Sequence, residues 1–445
     1  MITYQIVFEG AIISSATFDK ADFTPEVLTC VDQSGTIDRV ISATDNDYQS
    51  VKQAAIDSNI LRKIPKDCYL LPGFTDLHIH APQWPQAGLA LDKPLNEWLN
   101  TYTFPLESKF KNLEFAEKVY QNLVAELLAN GTTTGLYFGS IHTDANLILA
   151  KICGYLGQRA FIGKVVMDNP EQTPDYYRDA SSEVALSETE VFIQQMLDLH
   201  QQTGADITPV ITPRFVPSCT EETLRGLGQL AQQYDLPIQS HCSESLWEDQ
   251  YAIDHFKLRD AQVLDKYGLL TDKAVMAHGT QLSDTDLTLF EQRQTSLAHC
   301  PISNAYFGNS VMRVNEVITK NINVGLGTDI SGGFSLSIYR NMQQAIMSSQ
   351  MLQDSGQKQA RLSAANAFYL ATIGGADALH INSGQIKVGF KADLQIVQDQ
   401  YFAVSSNEPQ EIFERLVYHT NKENIKQVYV SGKLVHNNLG ENNGK

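Results

Sequence analysis

The 445-residue chain has no Cys-x-x-Cys pair, and its six cysteines (Cys30, Cys68, Cys153, Cys219, Cys242 and Cys300) are scattered. That spacing argues against a structural zinc knuckle or a disulfide framework and fits free thiols in a reducing compartment. Positive charge is scarce: 33 Lys and Arg against 51 Asp and Glu give a formal net charge of −18. A nucleic-acid backbone is held by clustered cations that displace counterions, so small molecules are the better partners. No run of about 18 apolar residues occurs, which argues against a membrane partner. The start Met1-Ile2-Thr3-Tyr4-Gln5 lacks the basic and apolar regions of a secretory signal, so the expected location is cytoplasmic. Disorder-prone sequence is missing too, apart from a short polar tail from Asn437 to Lys445.

What is present is regular. Hydrophobic residues at 43% and charged residues at 19% describe an ordinary globular chain. From Leu71 onward, eight short apolar segments alternate with longer helical patterns. The segments are expected to end at His80, Ser140, Asp168, Phe215, Glu244, Thr280, Asn304 and Asp329. Continuous apolar strands separated by helices indicate a parallel sheet covered on both faces. Eight such units predict a closed (β/α)8 TIM-like barrel, an α/β fold. Helix starts are visible as well: one pattern opens at Leu113 and stops at Asn130-Gly131, and Ser187-Glu188-Thr189-Glu190 reads as a capping box. Residues 1–68 and 381–445 carry short β-like runs, including a Ser431-Gly432 hairpin signal. They are expected to pair into one small β-sandwich-like domain beside a catalytic barrel of residues 69–380.

Chemistry concentrates at the ends of the expected strands, where α/β barrels carry their active sites. The first ends Asp76-Leu77-His78-Ile79-His80. Side chains alternate along a strand, so His78 and His80 share a face and their ring nitrogens converge. Two donors bind a catalytic metal poorly, since such sites take three or four N/O ligands. The fifth strand supplies His241, the sixth His278 and the eighth Asp329, all brought to one mouth by a barrel. Neutral imidazole and carboxylate suit Zn²⁺, one per subunit, and ligand type alone admits Fe²⁺. Glu244, three residues past His241, reads either as a proton carrier or as a solvated Glu at a helix start.

These residues carry a resemblance. His-x-His on the first strand, His on the fifth and sixth, and Asp on the eighth look like the amidohydrolase superfamily of metal-dependent hydrolases, over nearly the whole chain. More narrowly, Leu71 to Gln83, Asn130-Gly131-Thr132-Thr133-Thr134, Gly157 to Lys164, Thr212-Pro213-Arg214-Phe215, Ser240 to Glu244, Met276 to Gly279 and Gly325 to Asp329 resemble the guanine deaminase family. The resemblance implies hydrolysis of the 2-amino group of guanine to give xanthine and ammonia, in purine catabolism or salvage. His78, His80, His241 and Asp329 would then hold the metal, and His278, Asp329 and Glu244 would act on the water and the proton path. Gln83, Arg214 and Phe215 would read and cover the base, beside His241, Glu244, His278 and Asp329. The resemblance also implies a homodimer. One departure is Ile302, where related proteins more often have a polar residue. His142 and His299 are expected to be structural, and His200, His255, His380, His419 and His436 solvated or packed.

Two other readings stay open at this point. One is a different zinc aminohydrolase acting on a pterin, triazine, 8-oxopurine or nucleoside. The other is a noncatalytic scaffold that keeps the barrel, against which the retained donors argue. A two-metal cyclic amidase needs a lysine at the end of strand three or four, whereas Lys164 lies within strand three.

Overall fold

The computed structural model of the protein describes residues 4–358 and 360–439, so residues 440–445 of the expected polar tail lie outside it. Eight parallel strands run Phe74–His80, Thr132–Phe138, Arg159–Val166, Ile207–Pro213, Ile238–Cys242, Ala274–His278, Ser296–His299 and Val324–Leu326. Each pairs with the next. All their residues except Thr208 are buried, which is why the segments read as continuous apolar runs instead of alternating ones.

The ring closes just past the eighth strand. Asp329 N donates to His78 O, and His80 N donates to Ile330 O, both at 2.8 Å. Asp76 fastens the same seam: Thr328 N and Oγ1 donate to its two carboxylate oxygens at 2.9 and 2.6 Å. Closure therefore sets Asp329 beside the two histidines of the first strand. The expected strand ends after the first overrun the observed ones by two to five residues. The ladders stop early because the backbone turns outward at the mouth. Ser243, His278 and Asp329 sit there with φ of 48°, 72° and 49°, left-handed values that are unusual without glycine and concentrate at functional sites.

The helix Leu113–Ala129 begins where expected, with the Asn112 side chain accepting from Glu114 N and Phe115 N. The capping box expected at Ser187 is a correction. That helix starts at Ser182, its N-terminus satisfied by Ser181 Oγ accepting from Val184 N, and Ser187 lies inside it. The buried stripe Ala185, Thr189, Phe192, Ile193 and Met196 carries the helical period back past Ser187.

Both chain ends form one mixed sheet. Its path is Lys433–Asn437, Ile425–Val430, Leu394–Gln398, Cys68–Pro72, Tyr4–Thr17, Lys20–Asp32 and Ile37–Ser42, with Leu61–Lys63 joined to Tyr4–Thr17. The Ser431-Gly432 turn has φ of 48° and 73°, the positive pair that a two-residue hairpin needs. Cys68–Pro72 hands over to the first barrel strand at Gly73, where a Cβ would meet Thr133 Cγ2 at 2.3 Å. Sheet and barrel are joined at the barrel's foot by Arg159, whose guanidinium pairs with buried Asp393 and with Asp206, the latter at 2.6 Å. Among the described residues no helix is long and apolar enough to cross a membrane.

Candidate active site

Four imidazoles meet at the mouth. His80 Nε2 lies 3.1 Å from His241 Nε2, and His78 and His80 Nε2 lie 3.3 and 3.5 Å from Asp329 Oδ1. Two of the four outer nitrogens are committed to the protein. His241 Nδ1 donates to Arg214 O at 2.5 Å, and His278 Nδ1 donates to Asn304 Oδ1 at 2.9 Å. Each ring thus turns an Nε2 lone pair inward. His78 Nε2 is buried without a hydrogen-bond partner. Burial first, then the neighbouring imidazoles and Arg214, push His80 and His241 well below the usual imidazole range; burial, then His278 and Arg214, does the same to His78. Neutral rings crowded on one point, with a carboxylate oxygen beside them, are a donor set that fits a divalent cation. Donor atoms of His78, His241 and His278, and of His78, His80 and Asp329, are close enough to share one ion.

Glu244 stands next to this cluster. Its Oε2 is 3.7 Å from His278 Nε2, and its Oε1 accepts from Asn309 Nδ2 at 2.8 Å. Burial, with the nearby charge of Asp329, pushes its carboxyl up to about 8, against the opposing Asn309 bond. A carboxyl poised there holds a proton at neutral pH and can also give it up.

The opposite wall is polar and rigid. Arg214 donates from Nη1 and Nη2 to the two oxygens of Glu107 at 2.7 and 3.1 Å, and its guanidinium lies 5.0 Å above the Phe104 ring. Gln83 Nε2 donates to Glu107 Oε1 at 2.8 Å. Phe215 lines the same space with its ring 6.0 Å from Trp247. The cavity is about 450 Å³, in the range of small-molecule sites. His80, Gln83, Arg214, Phe215, His241, Glu244, His278 and Asp329 all line it, with His78 beneath.

The structure therefore brings all nine sequence-derived candidates together. His299 is buried outside the cavity lining, where burial and His278 hold it down at about 3. His142 lies against Tyr177 instead. Ile302 is buried in the helix Pro301–Tyr306 and does not line the cavity. Sequence reasoning missed Asp76, Glu107, Asn304 and Asn309. Asp76 had a signal, since it shares the strand parity of His78 and His80. Glu107 had none: it sits in a short helical turn, Phe104–Glu107, within an irregular stretch.

The chain belongs to the amidohydrolase family, whose model matches residues 69–435. Within that family its similarity is to guanine deaminases. It is 37% identical over 447 residues to the guanine deaminase of Mus musculus, covering 97% of this chain and 96% of that protein. It is 31% identical over 381 residues to that of Escherichia coli strain K12, covering 82% and 83%. Among solved structures, guanine deaminase from C. acetobutylicum with guanine bound in its active site matches with a TM-score of 0.89 and 34% identity, over 97% of this chain and all of that one.

Proposed function

We propose that the chain hydrolyses guanine to xanthine and ammonia, with His78, His80, His241 and Asp329 holding one Zn²⁺. The observation that carries this reading is the pairing, in one cavity, of that donor set with an amide and a guanidinium on the facing wall. Bound there, the cation supplies hydroxide at neutral pH by lowering the pKa of water to about 7.

The chain's own residues supply the rest. Arg214 donates to an acceptor edge of the base, Gln83 donates and accepts at its amide edge, and Phe215 covers its face. Glu244 gives its proton to the ring nitrogen next to the carbon under attack, which makes that carbon more electrophilic. His278 hydrogen-bonds the incoming oxygen. Asp329 takes the proton released as water becomes hydroxide; the ionised Glu244 takes the hydroxyl proton of the adduct and passes it to the amine, so ammonia leaves as the carbonyl forms, and the proton on Asp329 then returns to Glu244. Water and guanine go in; xanthine and ammonia come out.

The test is to incubate zinc-loaded protein with guanine and follow the ultraviolet change to xanthine together with ammonia release. Turnover of a pterin, triazine, 8-oxopurine or nucleoside in place of guanine would replace the substrate and keep the proton path. A homodimer, by resemblance, and a cytoplasmic location belong to the same reading; six buried free cysteines are in keeping with a reducing compartment. Sedimentation at micromolar concentration tests the dimer.

A further inference from the structure

We infer that Glu107 is the positioning residue that fixes which hydrogen-bonding pattern the cavity reads, and so selects a carbonyl over an amine on the heterocycle. The inference rests on the guanine reading above. Glu107 is 1% exposed and does not line the cavity, so it acts through its partners. Beside buried Tyr177, those partners are two wall residues. One carboxylate takes both terminal nitrogens of Arg214 and the amide nitrogen of Gln83.

An ionised carboxylate only accepts. Gln83 must therefore keep its NH₂ toward Glu107, because the flipped amide would set oxygen against oxygen in a buried space. Its carbonyl then faces Ser331 N, at 3.4 Å. Arg214 is held by a two-point fork that balances its charge, with Nη1 also 3.9 Å from Met167 Sδ, and it lines the cavity. The wall thus presents one fixed order of donors and acceptors, matched to a ring carbonyl. Released from Glu107, Gln83 can exchange its donor and acceptor ends and Arg214 can turn. A ligand with an amine at the carbonyl position then meets less opposition.

The experiment compares guanine with 2,6-diaminopurine, which keeps the 2-amino group and carries an amine where guanine has its carbonyl. For Glu107→Gln, the expected result is a KM for guanine raised about tenfold or more, kcat within about threefold, and the guanine preference in kcat/KM reduced by about tenfold or more. Glu107→Asp keeps the charge against Arg214 but reaches one methylene less far. It should fold with a melting temperature lowered less than that of Glu107→Gln, lose the Gln83 contact and show part of the same loss of preference, so it carries the test if Glu107→Gln does not fold. Folded variants with wild-type preference and KM overturn the assignment. So does an equal loss on both purines, which a merely structural carboxylate would produce. Wild-type protein that leaves guanine untouched removes the functional reading and this inference with it. Wild-type turnover with unaltered preference in the variants removes the Glu107 role alone.

Discussion

Two buried arginines, one at each end of the barrel, are used differently. At the foot, Arg159 starts the third strand and distributes its guanidinium over Asp393, Asp206 and Thr134 Oγ1, while Asp393 also accepts from Ser383 Oγ and Ser431 N. The cluster knits barrel to end sheet and does not line the cavity at the mouth. At the mouth, Arg214 gives one fork to Glu107, sets Nη1 3.9 Å from Met167 Sδ and lines the cavity. Burial and ion pairing are shared; what separates them is unfinished hydrogen bonding. Among the imidazoles of the mouth, His78 Nε2 is likewise buried without a hydrogen-bond partner. An arginine with every partner supplied by protein stabilises, and one left partly open recognises.

The comparison breaks most visibly if the mouth is not a metal-assisted site. Chelation should take guanine turnover to background, and Zn²⁺ should restore it, with the melting transition of the foot-and-sheet contacts changing far less. Next in size is Glu244→Gln. The amide keeps the shape of the protonated carboxyl but passes no proton, so turnover should fall by about 10²-fold or more at unchanged metal content. Metal loss in that variant, or a near-normal rate, would remove Glu244 from the proton path.

The foot should answer in stability instead of rate. Asp393→Asn leaves Arg159 buried with one carboxylate fewer, and removing one partner of a buried pair costs about 3–5 kcal/mol. Denaturant unfolding should register that loss, while kcat/KM per folded molecule stays at the wild-type value. A drop in kcat/KM without a loss of stability would mean the two ends are not separable.

Much of the mouth was legible because strand parity and barrel topology are strict. His78 and His80 share a face by a period of two, and a parallel barrel puts His241, His278 and Asp329 at the same end. The substrate wall was legible only through resemblance: nothing in the spacing of Gln83, Arg214 and Phe215 says that they meet. Glu107 was not legible at all, since a loop of short helical turns has no periodicity to place it. The Ser181 start was missed for a related reason. Both Ser181 and Ser187 are capping residues, and only the packing of Ala185 decides between them.

The smallest effect concerns a carboxylate that fits neither arginine's pattern. Asp260 is fully buried, and its Oδ2 accepts from Ser243 N at 2.9 Å, with the Cys242 thiol beside its carboxyl. Burial, reinforced by Asp249 and Asp286, pushes it from an ordinary 3.8 up to about 7. The folded state therefore binds this proton more tightly than the unfolded chain does. That contribution is fully present below the unfolded value and is lost as pH rises through about 7. The buried imidazoles, held below their usual range, work in the opposite direction between pH 5 and pH 8, so the Asp260 contribution is read as a difference between metal-loaded wild type and variant. Asp260→Asn keeps an oxygen for Ser243 N without titrating, so from pH 5 to pH 8 its melting temperature should shift upward relative to that of the wild type, by a difference on the order of a few °C. An equal change in both proteins would place the pH sensitivity elsewhere, with Glu248, whose carboxyl is also raised by burial and by Asp260, as the next group to replace.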